Sequence, residues 1–228
     1  MSWVESLWIV ASDFDRTLSH EDDSFVMRKE VASKINHFST IHRFFVVTGR
    51  EERYMRVLAP DLRPTGWVLE NGALLILGDR RILNVPEDWF ETRKIIGEKL
   101  TKFGISYSLG DVIIYVNSWN GKLDLGPEVR IERNREDAMI LPGNVDKGTG
   151  LRRAIQEMHL EGKIVAVGDA ENDESLFKVA DVKVAVANAI PPIKRMADLV
   201  MEKEDGEGVV ELLDMILSGR FPKNVDVN

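Results

Sequence analysis

The chain has 228 residues, room for one to two domains, and 44% of them are hydrophobic, enough for a core and too many for whole-chain disorder. Basic residues number 30 and acidic residues 38, a formal charge of −8 that repels nucleic-acid phosphates and anionic membranes and excludes both as preferred partners. Cysteine is absent, which removes disulfides, thiolate metal sites and a thiol nucleophile. The longest apolar runs, such as Phe44-Phe45-Val46-Val47, fall far short of a membrane helix, and no basic stretch precedes an apolar block at the N-terminus. A soluble, cytoplasmic protein is expected, with a homodimer allowed.

In chain order, the run 7–11 is continuously apolar and ends at Ser12-Asp13. Residues 26–38 follow with Met27, Val31, Ile35 and Phe38 at helical spacing. A second apolar run, 43–47, ends at Thr48-Gly49-Arg50, and 51–58 reads as a helix. The stretch 81–143 differs: one helical segment over 89–103 precedes extended pieces at 106–109, 112–117, 129–132 and 138–141. Gly110-Asp111 and Asn120-Gly121 have the character of hairpin turns. Residues 151–158 carry Leu151, Ala154, Ile155 and Met158 at helical spacing, and the run 163–167 ends at Gly168-Asp169. Continuous apolar runs suit strands buried on both faces of a parallel sheet. The pattern predicts an α/β core, 1–80 and 144–228, with helices on both faces and a small α+β unit, 81–143, inserted in it. The tail 218–228 lacks periodicity and is expected to be mobile.

Ligands of open α/β sheets bind beyond the carboxyl ends of the strands. Asp13, Asp15, Thr17, Thr48, Asp169, Asn172 and Asp173 all follow apolar runs, and Lys147 begins the helix before the last of these strands. Carboxylates gathered this densely repel one another unless a cation sits among them, and an all-oxygen set selects Mg²⁺ rather than zinc. His20, His37, His42 and His159 are scattered without ligand spacing. A site of this composition suits phosphoryl transfer to water from a small phosphate ester. Asp13 is placed as nucleophile and Asp15 as the acid/base. Lys147 would tie the nucleophile to the phosphate, Thr48 would bond a phosphate oxygen, and Asp169 and Asp173 would hold the metal. Each piece has a bland alternative: Thr48 as a helix N-cap, the acids of 171–174 as complements to a helix dipole. Lys147 is harder to dismiss, because a cation in a first helical turn opposes the dipole. The joint occurrence, in order and at one end of the strands, favours the functional reading.

Asp13-Phe14-Asp15-Arg16-Thr17-Leu18, Thr48-Gly49-Arg50, Asp146-Lys147-Gly148 and Gly168-Asp169-Ala170-Glu171-Asn172-Asp173 resemble the four motifs of the haloacid dehalogenase superfamily of phosphohydrolases. Glu70-Asn71-Gly72-Ala73 and the segment 184–189 are similar to its Cof-like subgroup, which carries a C2-type cap between motifs two and three. The resemblance implies a Rossmann-like core, Mg²⁺, an aspartyl-phosphate on Asp13 and acid/base work by Asp15. It implies metal ligands at Asp13, the backbone carbonyl of Asp15, Asp169 and Asp173, and substrate contacts at Thr48, Gly49, Arg50, Lys147 and Asn172. The short chain and compact cap are most similar to archaeal phosphoglycolate phosphatases; sugar-phosphate phosphatases acting on sucrose phosphate or mannosyl-3-phosphoglycerate are the alternative. A receiver-like signalling module is the alternative of another class. Arg16 and Ala187 stand where glycine is common in these families. The cap must supply specificity. Arg93, Arg130, Arg133 and Arg135 are candidates to hold a carboxylate, though a solvated face is the commoner fate of such charges. Trp89, Tyr115 and Trp119 are expected to pack in the cap core.

Overall fold

The structure is a computed structural model and describes residues 7–119, 121–134 and 137–221. Its larger sheet starts with β1 (Trp8–Ser12), every residue of which is buried, as a strand with both faces covered requires. In chain order there follow α1 (Lys29–Ser39), β2 (Arg43–Val47), α2 (Glu52–Leu58), β3 (Gly66–Leu69), β4 (Leu74–Leu77) and β5 (Arg80–Leu83). A smaller unit then contributes α3 (Trp89–Lys102), β6 (Ser108–Leu109), β7 (Ile114–Val116), β8 (Val129–Asn134) and β9 (Asp137–Pro142). The chain returns through α4 (Lys147–Glu157), β10 (Lys163–Gly168), α5 (Glu174–Phe177), β11 (Val182–Ala185), α6 (Pro191–Met196), β12 (Leu199–Val200) and α7 (Asp205–Leu217).

The large sheet runs β12-β11-β10-β1-β2-β3-β4-β5, parallel from β12 to β3 and antiparallel beyond. The small one is antiparallel, β6-β7-β9-β8. This is the expected Rossmann-like α/β core with an inserted α+β unit. β5 pairs along its length with β4, so the large sheet extends to Leu83, past the division expected at 80. α1 buries Val31, Ala32, Ile35 and Phe38, the stripe its spacing predicted, and packs against α7.

Other expectations are amended. Thr48 does not cap α2, whose N-cap position is Glu51; its hydroxyl instead accepts a 3.2 Å bond from the Arg50 amide. The tail is not loose where it is described: Phe221 is buried and meets Trp8 edge-on, 5.1 Å between ring centroids. Gly110-Asp111 does form the turn between β6 and β7; Asn120, of the second expected hairpin turn, and Arg135 lie outside the described residues. Trp89 is buried with its indole N–H on the Val112 carbonyl at 2.8 Å, and Trp119 packs against the core, as expected.

The two units are fastened by a carboxylate. Glu70, fully buried just after β3, accepts amide N–H bonds from Asp111, Val112 and Ile113 of the β6–β7 hairpin at 2.9, 3.0 and 2.8 Å. Glu70 and its neighbour Asn71 both take left-handed backbone, φ +49° and +54°, which costs a residue with a side chain and persists only where surroundings fix it. Burial pushes the Glu70 pKa up, and the Ile113 and Val112 amides oppose that shift. Tyr115 adds a second tie, donating 2.7 Å to the Gly49 carbonyl. Replacing Glu70 by Ala strands the hairpin amides and is expected to cost about 2–4 kcal/mol in urea unfolding, with Glu70→Gln losing less because one acceptor oxygen remains.

Candidate active site

The carboxyl ends of β1, β2 and β10 open into a cleft of about 420 Å³ roofed by the small sheet. Asp13, Asp15, Gly49, Arg50, Asp169 and Asn172 line it, together with Arg16 and, from the small sheet, Tyr115, Asn117, Asp137 and Met139. Thr48, Lys147 and Asp173 are buried beneath its floor. The residues that the sequence places just after the apolar runs, together with Lys147, are therefore at one place.

Each is held there by local structure. The Asp13 amide continues the sheet ladder onto the Val167 carbonyl at 3.0 Å, so the side chain leaves at the end of β1. The next turn is tight, with the Phe14 carbonyl accepting from the Leu18 and Ser19 amides at 2.9 and 3.0 Å. Lys147 enters through α4, whose first turn holds no acid but closes with a reciprocal cap. Asp146 accepts from the Thr149 amide at 2.7 Å, and the Thr149 hydroxyl accepts from the Asp146 amide at 2.9 Å. That capping box offsets the lysine's conflict with the helix dipole. Asp173 is fixed by the amides of Asp169 and Ala170, at 2.9 and 3.2 Å. Residue 168 must be glycine here, because a Cβ on it would lie 2.5 Å from an Asp173 oxygen.

The Lys147 ammonium bridges Asp13 at 2.6 Å and Asp173 at 2.7 Å. Carboxylate oxygens of Asp13, Asp169 and Asp173 lie within 4.8 Å of one another. Asp169 has the Thr17 hydroxyl at 3.0 Å and the Arg16 guanidinium no closer than 3.9 Å. The Asp15 side chain stands apart from this cluster: Arg50 grips it with Nε at 2.8 and 2.9 Å from its two oxygens and Nη2 at 2.5 Å.

Burial pushes the Asp13 pKa well above the carboxylate range; Lys147 opposes this, and Asp173 and Asp169 reinforce it. Burial and then Asp173 push Asp169 up to about 7. Burial by itself would lower the Lys147 pKa, but the charges of Asp13 and Asp173 outweigh it and keep the ammonium protonated. Three carboxylates thus face one cation, an excess of negative charge that a low-dielectric site does not tolerate. The all-oxygen donor set and the uncompensated charge both fit a hard divalent cation.

Three of the four arginines weighed for carboxylate recognition fall among the described residues, and these three are elsewhere. Arg93 donates to the carbonyls of Gly110, Asp111 and Val112; Arg130 pairs with Glu132 and Asp146; Arg133 bonds the Trp119 and Gly121 carbonyls and stacks on the Trp119 ring. None lines the cleft. Two tasks escaped sequence reading: the grip of Arg50 on Asp15, and that of Asn188, which donates to the Arg16 carbonyl at 2.8 Å. The segment resembling the Cof-like pattern was the one available signal for Asn188; nothing in the spacing paired Arg50 with Asp15.

A stability prediction follows from Asp169. With its pKa raised from 3.8 to about 7, the folded metal-free protein binds more protons than the unfolded chain between those values. Stability therefore falls as pH rises through that window. The melting temperature of chelator-treated protein is expected to drop between about pH 5 and 8, and added Mg²⁺ to restore more of it at the higher pH.

A family model described as haloacid dehalogenase-like hydrolase matches residues 97–213. Over 213 residues the chain is 53% identical to phosphoglycolate phosphatase of Sulfurisphaera tokodaii, covering 92% of this chain and 94% of that one. It is 51% identical over 224 residues to phosphoglycolate phosphatase 2 of Saccharolobus solfataricus, covering 96% of each. The fold matches the crystal structure of Thermoplasma acidophilum 0175 with a TM-score of 0.76 at 16% identity, covering 93% of this chain and 99% of that one. It also matches BT1666 of Bacteroides thetaiotaomicron, a phosphatase of the same superfamily, with a TM-score of 0.76 at 17% identity, covering 94% and 97%. The chain belongs to the haloacid dehalogenase-like hydrolases and is closely related to the phosphoglycolate phosphatases.

Proposed function

We propose that this protein is a Mg²⁺-dependent phosphomonoester hydrolase that passes the phosphoryl group through Asp13 to water, with 2-phosphoglycolate as its substrate. The observation that carries the chemistry is the buried Lys147 bridge between Asp13 and Asp173, with Asp169 in the same cluster. The substrate assignment draws on the relatives more than half identical to this chain, both named for that activity.

Mg²⁺ held by Asp13, Asp169, the backbone carbonyl of Asp15 and, directly or through water, Asp173 would neutralise the phosphoryl oxygens as charge builds on them. Lys147 fixes one Asp13 oxygen, and the other attacks phosphorus as the bond to the ester oxygen breaks. Asp15 protonates that leaving oxygen. Its carboxylate then takes a proton from the water that attacks the aspartyl-phosphate, which frees phosphate and restores Asp13. Arg50 aims Asp15 by its two-pronged grip, a geometry that a single-point contact would not fix. Thr48 and Lys147, beneath the floor, offer hydrogen bonds to the phosphoryl oxygens, and Gly49, Arg50 and Asn172 line the substrate's approach. The Tyr115 and Glu70 ties hold the small sheet over the site.

A receiver module has no use for a second sheet over its acidic cluster, and sugar phosphatases remain as the competing substrate class. Asp13→Asn is expected to cut Mg²⁺-dependent phosphate release from p-nitrophenyl phosphate by about 10³-fold or more while the fold persists by circular dichroism. In a panel of small esters, 2-phosphoglycolate should rank among the best substrates. Turnover of hexose phosphates without turnover of 2-phosphoglycolate would transfer the enzyme to the sugar-phosphate class.

A further inference from the structure

Arg16 occupies a position in the first motif that its own backbone makes costly. Its φ is +60°, left-handed, the conformation that glycine takes freely and a residue with a Cβ does not. The fold leaves it no alternative. The Arg16 amide donates to the Ser19 carbonyl at 3.0 Å, and its carbonyl accepts from the Asn188 amide group at 2.8 Å. Asn188 is in turn locked to Asp205 by side-chain and backbone bonds of 2.8 Å each. A long cationic side chain therefore stands where the chain geometry asks for none.

That side chain lines the cleft and is 33% exposed. Its Nε is 3.9 Å from Asp169 and 3.9 Å from Glu21, ion pairs too long to be hydrogen bonds. The neighbouring cations are engaged at short range: Arg50 by Asp15, Lys147 by Asp13 and Asp173. Arg16 thus offers a planar fork of donors at the floor of the cleft, beside the cluster that receives the phosphoryl group.

We propose that Arg16 is a specificity-determining residue that binds a carboxylate carried on the leaving group of the phosphate ester. The proposal rests on the phosphatase reading above and deepens it. In a phosphorylated 2-hydroxy acid the carboxylate carbon is separated from the bridging oxygen by a single carbon. The charge is therefore confined close to the phosphoryl site, within reach of the first-motif loop and short of the cap arginines. A guanidinium matches a carboxylate with parallel N–H bonds, which a backbone amide or a lysine does not reproduce.

The test compares Arg16→Gly and Arg16→Lys with the parent at saturating Mg²⁺, on 2-phosphoglycolate and on 2-hydroxyethyl phosphate, its counterpart without the carboxylate. The quantity read is the ratio of kcat/KM for the acid to that for the alcohol. Arg16→Gly is expected to lower this ratio by about tenfold or more, chiefly through KM, and Arg16→Lys to recover part of it. Glycine suits the backbone, so the Gly variant should melt no lower than the parent. An unchanged ratio, whether both rates fall or neither does, overturns the proposal. So does a defect that disappears when Mg²⁺ is raised further, which would place Arg16's effect on the metal through Asp169. If the parent hydrolyses p-nitrophenyl phosphate but neither test ester, the 2-phosphoglycolate assignment fails by itself. The same ratio, read from inhibition constants of the two esters, then decides for or against Arg16. A parent inactive on p-nitrophenyl phosphate sinks the phosphatase reading and the proposal together.

Discussion

Lys147 carries a buried ammonium whose partners, Asp13 and Asp173, lie 134 and 26 residues from it in the chain, at 2.6 and 2.7 Å. Neither partner alone would justify taking that charge out of water, because desolvating an ion costs more than one contact returns. With two carboxylates on it, the ammonium stays protonated and pins the ends of β1 and the loop after β10 to the first turn of α4. The pairing also leaves the cluster short of positive charge: Asp169 is buried beside Asp173, with the Thr17 hydroxyl at 3.0 Å and the Arg16 guanidinium at 3.9 Å. The shortage is what makes a divalent cation, and behind it a phosphate, the natural occupant. Structural rigidity and catalytic appetite therefore have one source.

A second carboxylate organises the molecule at larger scale. Glu70 sits at the exit of β3 and its carboxylate accepts from three amides of the small unit, so the cap hairpin is clasped by the core through a buried anion. The residue next to it, Asn71, donates its own amide to the Thr48 carbonyl at 3.0 Å, and the Glu70 amide reaches the Arg50 carbonyl at 3.1 Å. The loop carrying Thr48, Gly49 and Arg50 is thereby braced from behind by the same segment that fastens the cap. The segment that fastens the cap and the loop that carries Arg50, and with it the grip on Asp15, thus share these backbone bonds. Chemistry and enclosure are coupled through backbone hydrogen bonds over a few residues of chain.

The frame was legible in the sequence because it is written in hydrophobic patterning. The continuous apolar runs at 7–11, 43–47 and 163–167 became adjacent parallel strands, and α1 presents Val31, Ile35 and Phe38 inward as spaced. The candidate site residues were legible for a related reason: polar groups directly after such runs fall at one edge of a parallel sheet, whatever the details between them. Less legible were contacts whose partners are far apart in the chain and carry no periodic signature. The cap arginines illustrate this. Their place in the cap made Arg93, Arg130, Arg133 and Arg135 candidates to hold a carboxylate beside the commoner solvated role, and only folding showed the first three spent on carbonyls and acids outside the cleft.

The sequence by itself determined the α/β core, the inserted unit and the identity of the groups that gather at the strand ends, since burial periodicity and chain order suffice for these. Tertiary structure alone decided which cation serves which anion: Arg50 with Asp15, Lys147 with Asp13 and Asp173, and Arg16 left beside the carboxylate cluster with its donors loosely engaged. The reason is one of range. Patterning is set by neighbours a few residues apart, whereas an ion pair is set by distance in space, and that distance exists only once the sheets have closed around the cleft.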